Sequence, residues 1–180
     1  MGRPGSGKGK QSELLAEKLK CRIFSTGNRV REVAQKDSSL GRKVKEVSES
    51  GGLVPSWLAS YLFEEAYLAL DDKEIIIFEG LGRKESEARL FNEISEWLGR
   101  DFVVIYLNVS EKTIFERLNK RLAIEGREDD KNIQNRFDNF NTQTIPSLNF
   151  FRSINKVIEI NGEPLPDVVF AEIWQKVSSL

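Results

Sequence analysis

The sequence predicts an α/β protein in which a parallel sheet is covered by helices on both faces. Four segments rich in β-branched and aromatic residues show little polar alternation, which is typical of strands buried on both sides. They lie at residues 22–26, 75–80, 102–109 and 156–162. Segments with helical spacing of apolar residues separate them. This alternation of strand and helix favours parallel strands joined by right-handed crossovers.

The helical segments carry apolar residues on one face and charged residues on the other. They lie at residues 11–20, 55–70, 87–98, 110–122 and 166–177. Residues 41–49 are interpreted as a helix with one largely solvated face. Because no repeat or Pro/Gly/Ser-rich linker divides the chain, we expect one domain over residues 1–180.

Composition excludes several classes of protein. The 180 residues carry 27 Lys and Arg against 28 Asp and Glu, a formal net charge of -1, whereas a general nucleic-acid binder usually has a basic excess. With no histidine and one cysteine, Cys21, the sequence offers neither an internal disulfide nor a Cys/His zinc site. The apolar runs are too short to cross a bilayer. We expect a cytoplasmic monomer with no nucleic-acid partner, no membrane partner and no structural zinc.

The chain opens with a glycine-rich loop, GRPGSGKG at residues 2–9, followed directly by a helical pattern. Such a loop lets backbone N–H groups converge on an anion, and the helix N-terminus and Lys8 add positive charge. The common phosphate-loop pattern has Ser or Thr directly after the lysine; here Gly9 takes that place. We therefore predict a nucleotide phosphate site at this loop.

The stretch PGSGKGKQ at residues 4–11 closely resembles the PGSGKGTQ form of adenylate kinases and related nucleoside monophosphate kinases. Further segments resemble motifs of this family in the same order along nearly the whole chain. They are STGNRVR (25–31), GGLVP (51–55), EGLGRKESEA (79–88), ERLNKR (116–121), GREDD (126–130), NRF (135–137), FNTQTIPSLNFF (140–151) and INGEP (160–164). Jointly these motifs are highly specific.

The resemblance implies a three-layer P-loop fold with a monophosphate-binding (NMP) helical insert at residues 25–54 and a short lid at residues 121–127. It implies reversible phosphoryl transfer from ATP to a nucleoside monophosphate, with AMP as the favoured acceptor and Mg²⁺ held mainly by the nucleotide phosphates. The reaction brings many negative charges together, so catalysis is mostly positioning and charge stabilisation. Arginines suit this task because each guanidinium group can donate two parallel hydrogen bonds to phosphate oxygens and stays protonated.

The resemblance also assigns roles to residues of this sequence. The catalytic residues implied are Lys8, Arg83, Arg121, Arg127 and Arg136. The ATP-binding residues implied are Pro4, Gly5, Ser6, Gly7, Lys8, Gly9, Lys10, Arg121 and Pro164. The AMP-binding residues implied are Thr26, Arg31, Gly52, Leu53, Val54, Gly80, Arg83, Glu87, Arg127 and Arg136. Glu79 is expected to hold Mg²⁺ through water.

The sequence departs from the family at four points. The opening strand, which lies in the middle of the family's sheet, does not precede the loop. Our hypothesis is that Met1 is an internal residue of a longer protein; the alternative is a chain that begins here and has repaired its sheet. Lys10 stands where the family has Thr, and Glu79 stands where it has Asp.

The fourth departure is Glu87, which stands where adenylate kinases carry a Gln that reads the acceptor base. An ionised Glu only accepts hydrogen bonds, so it suits a base edge with two donors, as in guanine, better than adenine. Alternatively, Glu87 turns away and backbone groups read adenine. Two alternatives to an adenylate kinase therefore stay open: a kinase for GMP, CMP or UMP, and a nucleotide-binding relative with impaired catalysis.

Overall fold

The computed structural model describes residues 1–125 and 132–179. Helices and strands alternate along the chain, as predicted. In chain order the elements are α1 (Lys8–Leu19), β1 (Arg22–Ser25), α2 (Thr26–Ala34), α3 (Ser39–Glu49), α4 (Ser56–Leu68), β2 (Ile76–Glu79), α5 (Glu85–Trp97), β3 (Val104–Asn108), α6 (Glu111–Glu125), α7 (Ile133–Asn139), α8 (Ile145–Ser153), β4 (Val157–Asn161) and α9 (Pro166–Val177). A π-helical segment, Phe140–Thr144, joins α7 to α8.

The strands pair in parallel, β1 with β2 and β3 with β4. In the first pair Ser25 lies opposite Glu79, and in the second Asn108 lies opposite Asn161. These are the pairs expected for the family's sheet once its middle strand is left out. The predicted α/β class with parallel strands is confirmed.

Met1 lies beside β3 and continues the sheet there. Its nitrogen donates a hydrogen bond to the Ile105 carbonyl, and its carbonyl accepts one from the Leu107 N–H at 2.9 Å. These are the two bonds that a residue of a parallel strand makes across its partner, here Tyr106. Met1 also packs against the core cluster that contains Phe24. The hypothesis that Met1 is an internal residue stays a prediction.

Helices cover both faces of the strands. Because side chains alternate along a strand, Ile77 of β2 packs on one face with Leu15 of α1 and Ile173 of α9. Its neighbour Phe78 packs on the other face with the cluster that contains Phe63 of α4. The chain therefore forms three layers, as the resemblance implies. None of the described helices is long and apolar enough to cross a lipid bilayer.

Phe91 of α5 is the centre of the aromatic core on the larger face. Its ring lies 5.9 Å from Phe63, 5.0 Å from Tyr67, 5.7 Å from Phe78 and 4.9 Å from Phe102, measured between centroids. We expect Phe91→Ala to lower the free energy of unfolding by about 3–5 kcal/mol, because it leaves a cavity among four rings. Urea unfolding followed by circular dichroism measures this loss.

Trp97→Ala on the same helix is the matched control, since Trp97 is 83% exposed. We expect it to change the free energy of unfolding by less than about 0.5 kcal/mol. Equal losses in the two variants would contradict the assignment of Phe91 to the core.

Candidate active site

The glycine-rich loop folds tightly over α6 and opens at the start of α1. Gly5 has φ +81°, and a Cβ there would lie 2.9 Å from Leu118 Cγ, so only glycine fits this position. Gly7, the N-cap of α1, faces open space, because no described atom lies within 4 Å of the position that its Cβ would take. This space leaves room for an anion beside the N-terminus of α1, where the first N–H groups of a helix have no intrahelical acceptor.

Lys8 holds its ammonium group against the same loop. Its Nζ donates to the carbonyl oxygens of Gly2 and Arg3, both at 2.8 Å, and lies 3.4 Å from Ser6 Oγ. A full positive charge therefore stands beside the positive end of the α1 dipole. This combination favours a polyphosphate.

Glu79, the last residue of β2, faces the loop. Its carboxylate oxygens lie 3.7 and 3.9 Å from the position that a Cβ on Gly9 would take, so the missing side chain leaves room between them. A Mg²⁺ ion that keeps most of its waters and binds phosphates needs only one or two protein carboxylates, so Glu79 fits the predicted role. Among the described residues no group of three or more His, Cys, Asp or Glu could hold a metal ion.

Two arginines from different elements converge on Gly27, at the start of α2. From the position of a Cβ on Gly27, Arg31 Nη1 lies 3.5 Å away and Arg83 Nη2 lies 3.8 Å away. Arg31 belongs to α2, whereas Arg83 lies between β2 and α5. Two guanidinium groups this close suit one phosphate group, because each offers paired N–H donors.

Thr26, the residue before Gly27, is buried, with 6% of its surface exposed. Its Oγ1 has no hydrogen-bond partner within the part of the chain that the structure describes. Burying an unsatisfied hydroxyl costs about 1–3 kcal/mol. A ligand atom that bonds to this hydroxyl would remove that cost.

The register of β1 and β2 places the two candidate phosphate-binding groups side by side. Because Ser25 lies opposite Glu79, the residues that follow the two strands leave the sheet at the same edge. Glu79 faces the loop at Gly9, and Arg83 reaches Gly27, two residues beyond Ser25. The carboxyl edge of parallel strands is where ligands usually bind in α/β folds.

Glu87 is buried and caps its own helix. With 4% of its surface exposed, its Oε2 accepts hydrogen bonds from the backbone N–H groups of Arg83 at 3.0 Å and Lys84 at 3.4 Å. Burial raises the pKa of this carboxyl, and that effect outweighs the two amide hydrogen bonds and the Lys84 and Arg83 charges. Glu87 thus fixes the backbone that carries Arg83.

The segment at residues 51–54 is joined to the same turn. Lys84 Nζ donates to the Val54 carbonyl at 2.9 Å, and the Val54 side chain is buried. Gly52 and Leu53 are partly exposed. The segment predicted to close over the acceptor base is therefore anchored beside Arg83.

A cavity of about 300 Å³ lies beside the glycine-rich loop. Residues from three parts of the chain line it, among them Gly7, Lys10, Arg117, Gly162, Pro164 and Leu165. Arg117 Nη2 donates to the carbonyls of Gly162 at 3.0 Å and Glu163 at 3.1 Å. This cavity adjoins the loop, so it can hold the base or ribose of a nucleotide whose phosphates lie at Lys8.

The predicted lid arginines are described only in part. Arg136 lies on α7, and its Cγ comes within 3.3 Å of the position of a Cβ on Gly51. Arg127 and the side chain of Arg121 lie outside the described residues. Their predicted roles stay predictions.

A family model described as adenylate kinase matches residues 1–156 of the chain. The chain belongs to the adenylate kinase family. Among curated relatives, an adenylate kinase from Azobacteroides pseudotrichonymphae genomovar. CFP2 is 32% identical over 182 residues, which cover 99% of this chain and 95% of that protein. An adenylate kinase from Bacteroides thetaiotaomicron is 32% identical with 99% and 96% coverage. One from Leptospira biflexa is 30% identical over 165 residues, with 90% and 89% coverage.

For this member of the adenylate kinase family, the structure brings together most of the residues predicted from sequence. Lys8, the loop glycines and Glu79 lie together at the glycine-rich loop, and Thr26, Arg31 and Arg83 lie together at the start of α2. Lys10 and Pro164 line the adjoining cavity.

Arg117 lines the candidate site but was not predicted from the sequence. The segment ERLNKR contains two arginines, and a role was predicted only for Arg121. Arg117 precedes Arg121 by four residues, about one helical turn, and residues at this spacing share a helix face. That spacing was the available signal.

The pH dependence of stability tests the burial of Glu87. A raised carboxyl pKa means that the folded protein binds more protons than the unfolded one in the window just above the ordinary value of 4.5. Stability contributed at that site therefore falls as pH rises through this window. In Glu87→Gln the amide oxygen still accepts from both N–H groups without ionising. We expect the variant to gain stability relative to wild type as pH rises from 4 towards neutrality, which thermal unfolding across pH measures.

Glu85→Gln is the control, because it removes a negative charge from an exposed side chain in the same helical turn. A difference between Glu87→Gln and wild type that stays constant across pH would contradict the assignment.

Proposed function

We propose that this protein catalyses reversible, Mg²⁺-dependent transfer of the terminal phosphoryl group of ATP to AMP, which yields two molecules of ADP. The observation that supports this most is the adjacency of two phosphate-binding groups at one edge of the strands. Glu79 faces the glycine-rich loop, while Arg83 and Arg31 converge on Gly27 beyond the paired strand. Transfer between two bound phosphates needs this arrangement, because catalysis is chiefly positioning and neutralisation of charge.

On the donor side, the loop of residues 4–10 would hold the ATP phosphates through its backbone N–H groups and the Lys8 ammonium. The base or ribose would enter the cavity lined by Arg117 and Pro164. Lys10 lines that cavity with 55% of its side chain exposed, so it can approach the donor phosphates. Arg121 is proposed to join this group from the lid.

On the acceptor side, Arg31 and Arg83 would clamp the AMP phosphate, and the Thr26 hydroxyl would gain the partner it lacks. Arg127 and Arg136 are proposed to approach the transferring group as the lid closes and excludes water. The acceptor phosphate is already an anion, so no general base is required.

Mg²⁺ would be held by the nucleotide phosphates and, through water, by Glu79. When bound, it neutralises charge on the phosphate oxygens. Glu79 would hold the waters of the ion, because the space at Gly9 keeps the carboxylate a few ångströms from the loop.

The acceptor base is proposed to be read by backbone groups of residues 52–54 and 80. Both hydrogen bonds of Glu87 point to its own helix N-terminus, which supports the alternative in which this side chain does not read the base. Adenine then meets no unfavourable carboxylate, and AMP remains the favoured acceptor.

A coupled assay of ADP formation tests the assigned roles. We expect Lys8→Ala and Arg83→Ala each to lower kcat/KM by about a hundredfold or more, because each removes a charge that acts on the transferring phosphate. Arg89→Ala is the matched control, since Arg89 lies exposed on α5 in an ion pair with Glu85 at 2.6 Å. Full activity of either site variant would contradict the proposal, as would nucleotide binding by the wild type without ADP formation.

A panel of AMP, GMP, CMP and UMP tests the acceptor. We expect the highest kcat/KM with AMP, and the same order of preference in Glu87→Gln, because the carboxylate is engaged with its own helix. A clear preference of the wild type for another acceptor would overturn the assignment of AMP. A changed order of preference in Glu87→Gln would show that this side chain reads the base.

A further inference from the structure

Three asparagines at the start of and along α7 bind the end of α3. Asn132 Nδ2 donates to the Glu49 carbonyl at 2.5 Å, Asn135 Nδ2 to the Ser50 carbonyl at 2.9 Å, and Asn139 Nδ2 to the Gly51 carbonyl at 3.2 Å. Three successive amides thus meet three successive carbonyls, although the partners lie 83 to 88 residues apart in sequence. We call this set the asparagine bridge.

The chemistry of both partners explains the contact. The last carbonyls of a helix have no intrahelical donor and carry the negative end of the dipole. The last turn of α3 contains no basic residue, so side-chain amides from another helix supply the donors. Residues three and seven positions apart lie on one helix face. Asn132, Asn135 and Asn139 can therefore all reach the carbonyls at the end of α3.

The bridge brings the start of α7 against Gly51, the first residue of the segment at residues 51–54, which we call the acceptor loop. Gly51 has φ +73°, and a Cβ there would lie 3.0 Å from the Asn132 carbonyl oxygen and 3.3 Å from Arg136 Cγ. Any larger residue would push α7 away. The stem of Arg136 therefore lies directly on residue 51, between Asn135 and Asn139.

We propose that Asn132, Asn135 and Asn139 are positioning residues that fix Arg136 against the acceptor loop, so that closing the loop over the acceptor also places Arg136 at the transferring phosphate. This inference rests on the proposed kinase function. None of the three asparagines touches a nucleotide in this account. They act through the α3 carbonyls and the backbone of residue 51.

The expected signature is a change in acceptor kinetics that leaves the donor constant unaltered. A net neutral hydrogen bond contributes about a three- to tenfold factor in an equilibrium. In Asn135→Ala and Asn139→Ala we therefore expect KM for AMP to rise about three- to tenfold and kcat to fall, whereas KM for ATP changes less than about twofold.

Asn135→Asp and Asn139→Asp separate hydrogen-bond donation from simple space filling. Aspartate has nearly the same shape but cannot donate, and its charge faces carbonyl oxygens at the negative helix end. We expect these variants to be more impaired towards AMP than the alanine variants. Asn141→Asp is the matched control, since Asn141 is exposed in the following π-helical segment, and it should leave all three constants unchanged.

The outcomes distinguish the bridge from the proposed function. If the wild type forms no ADP from ATP and AMP, the proposed function fails. The bridge is then judged by hydrogen exchange of peptides spanning residues 50–58, which should quicken in Asn139→Asp but not in Asn141→Asp. If the wild type is active, unchanged KM for AMP and kcat in the bridge variants overturn the inference even when their melting temperatures fall. Equal rises in KM for ATP and AMP overturn it as well.

Discussion

The parallel register between β1 and β2 is the constraint on which the proposed site depends. Phe24 lies opposite Phe78, their ring centroids are 5.5 Å apart, and both pack into the aromatic core. A slip of β2 by one residue would turn Phe78 away from Phe24 and would turn Glu79 to the face opposite its present one. The buried rings therefore determine that Glu79 faces the phosphate loop and that Arg83 meets Arg31 at Gly27, beyond the strand ends.

Two cationic side chains of the candidate site donate hydrogen bonds to backbone carbonyl oxygens. Lys8 is held by two carbonyls of its own loop, and Arg117 by two carbonyls of the segment after β4. A phosphate adds the attraction between opposite full charges to the hydrogen bond, whereas a neutral carbonyl does not. An incoming phosphate would therefore compete well for these donors, and the carbonyls keep the side chains ordered until it arrives.

Local sequence patterns predicted the strands and the phosphate loop, whereas the arginines proposed for the acceptor side were predicted from the resemblance to the family. The ends of strands were less predictable: residues 102–109 were expected in one strand, whereas β3 covers Val104–Asn108, because Phe102 leaves the ladder to join the aromatic core. The capping role of Glu87 had only half of a sequence signal, because the capping box pairs this Glu with Ser or Thr three residues earlier and Lys84 stands there. The resemblance pointed instead to the acceptor base. The asparagine bridge has no such signal, because its acceptors are backbone carbonyls, which every residue carries whatever its side chain.

The acceptor loop is held at both of its ends by elements that also carry arginines. Asn139 binds the Gly51 carbonyl from α7, the helix of Arg136, and Lys84 binds the Val54 carbonyl next to Arg83. Because hydrogen bonds of defined geometry transmit displacement, an acceptor base that fits poorly and shifts the loop would also shift both arginines. In the proposed mechanism, base recognition and phosphate positioning are therefore coupled, and discrimination among acceptors falls on the transfer step as well as on binding.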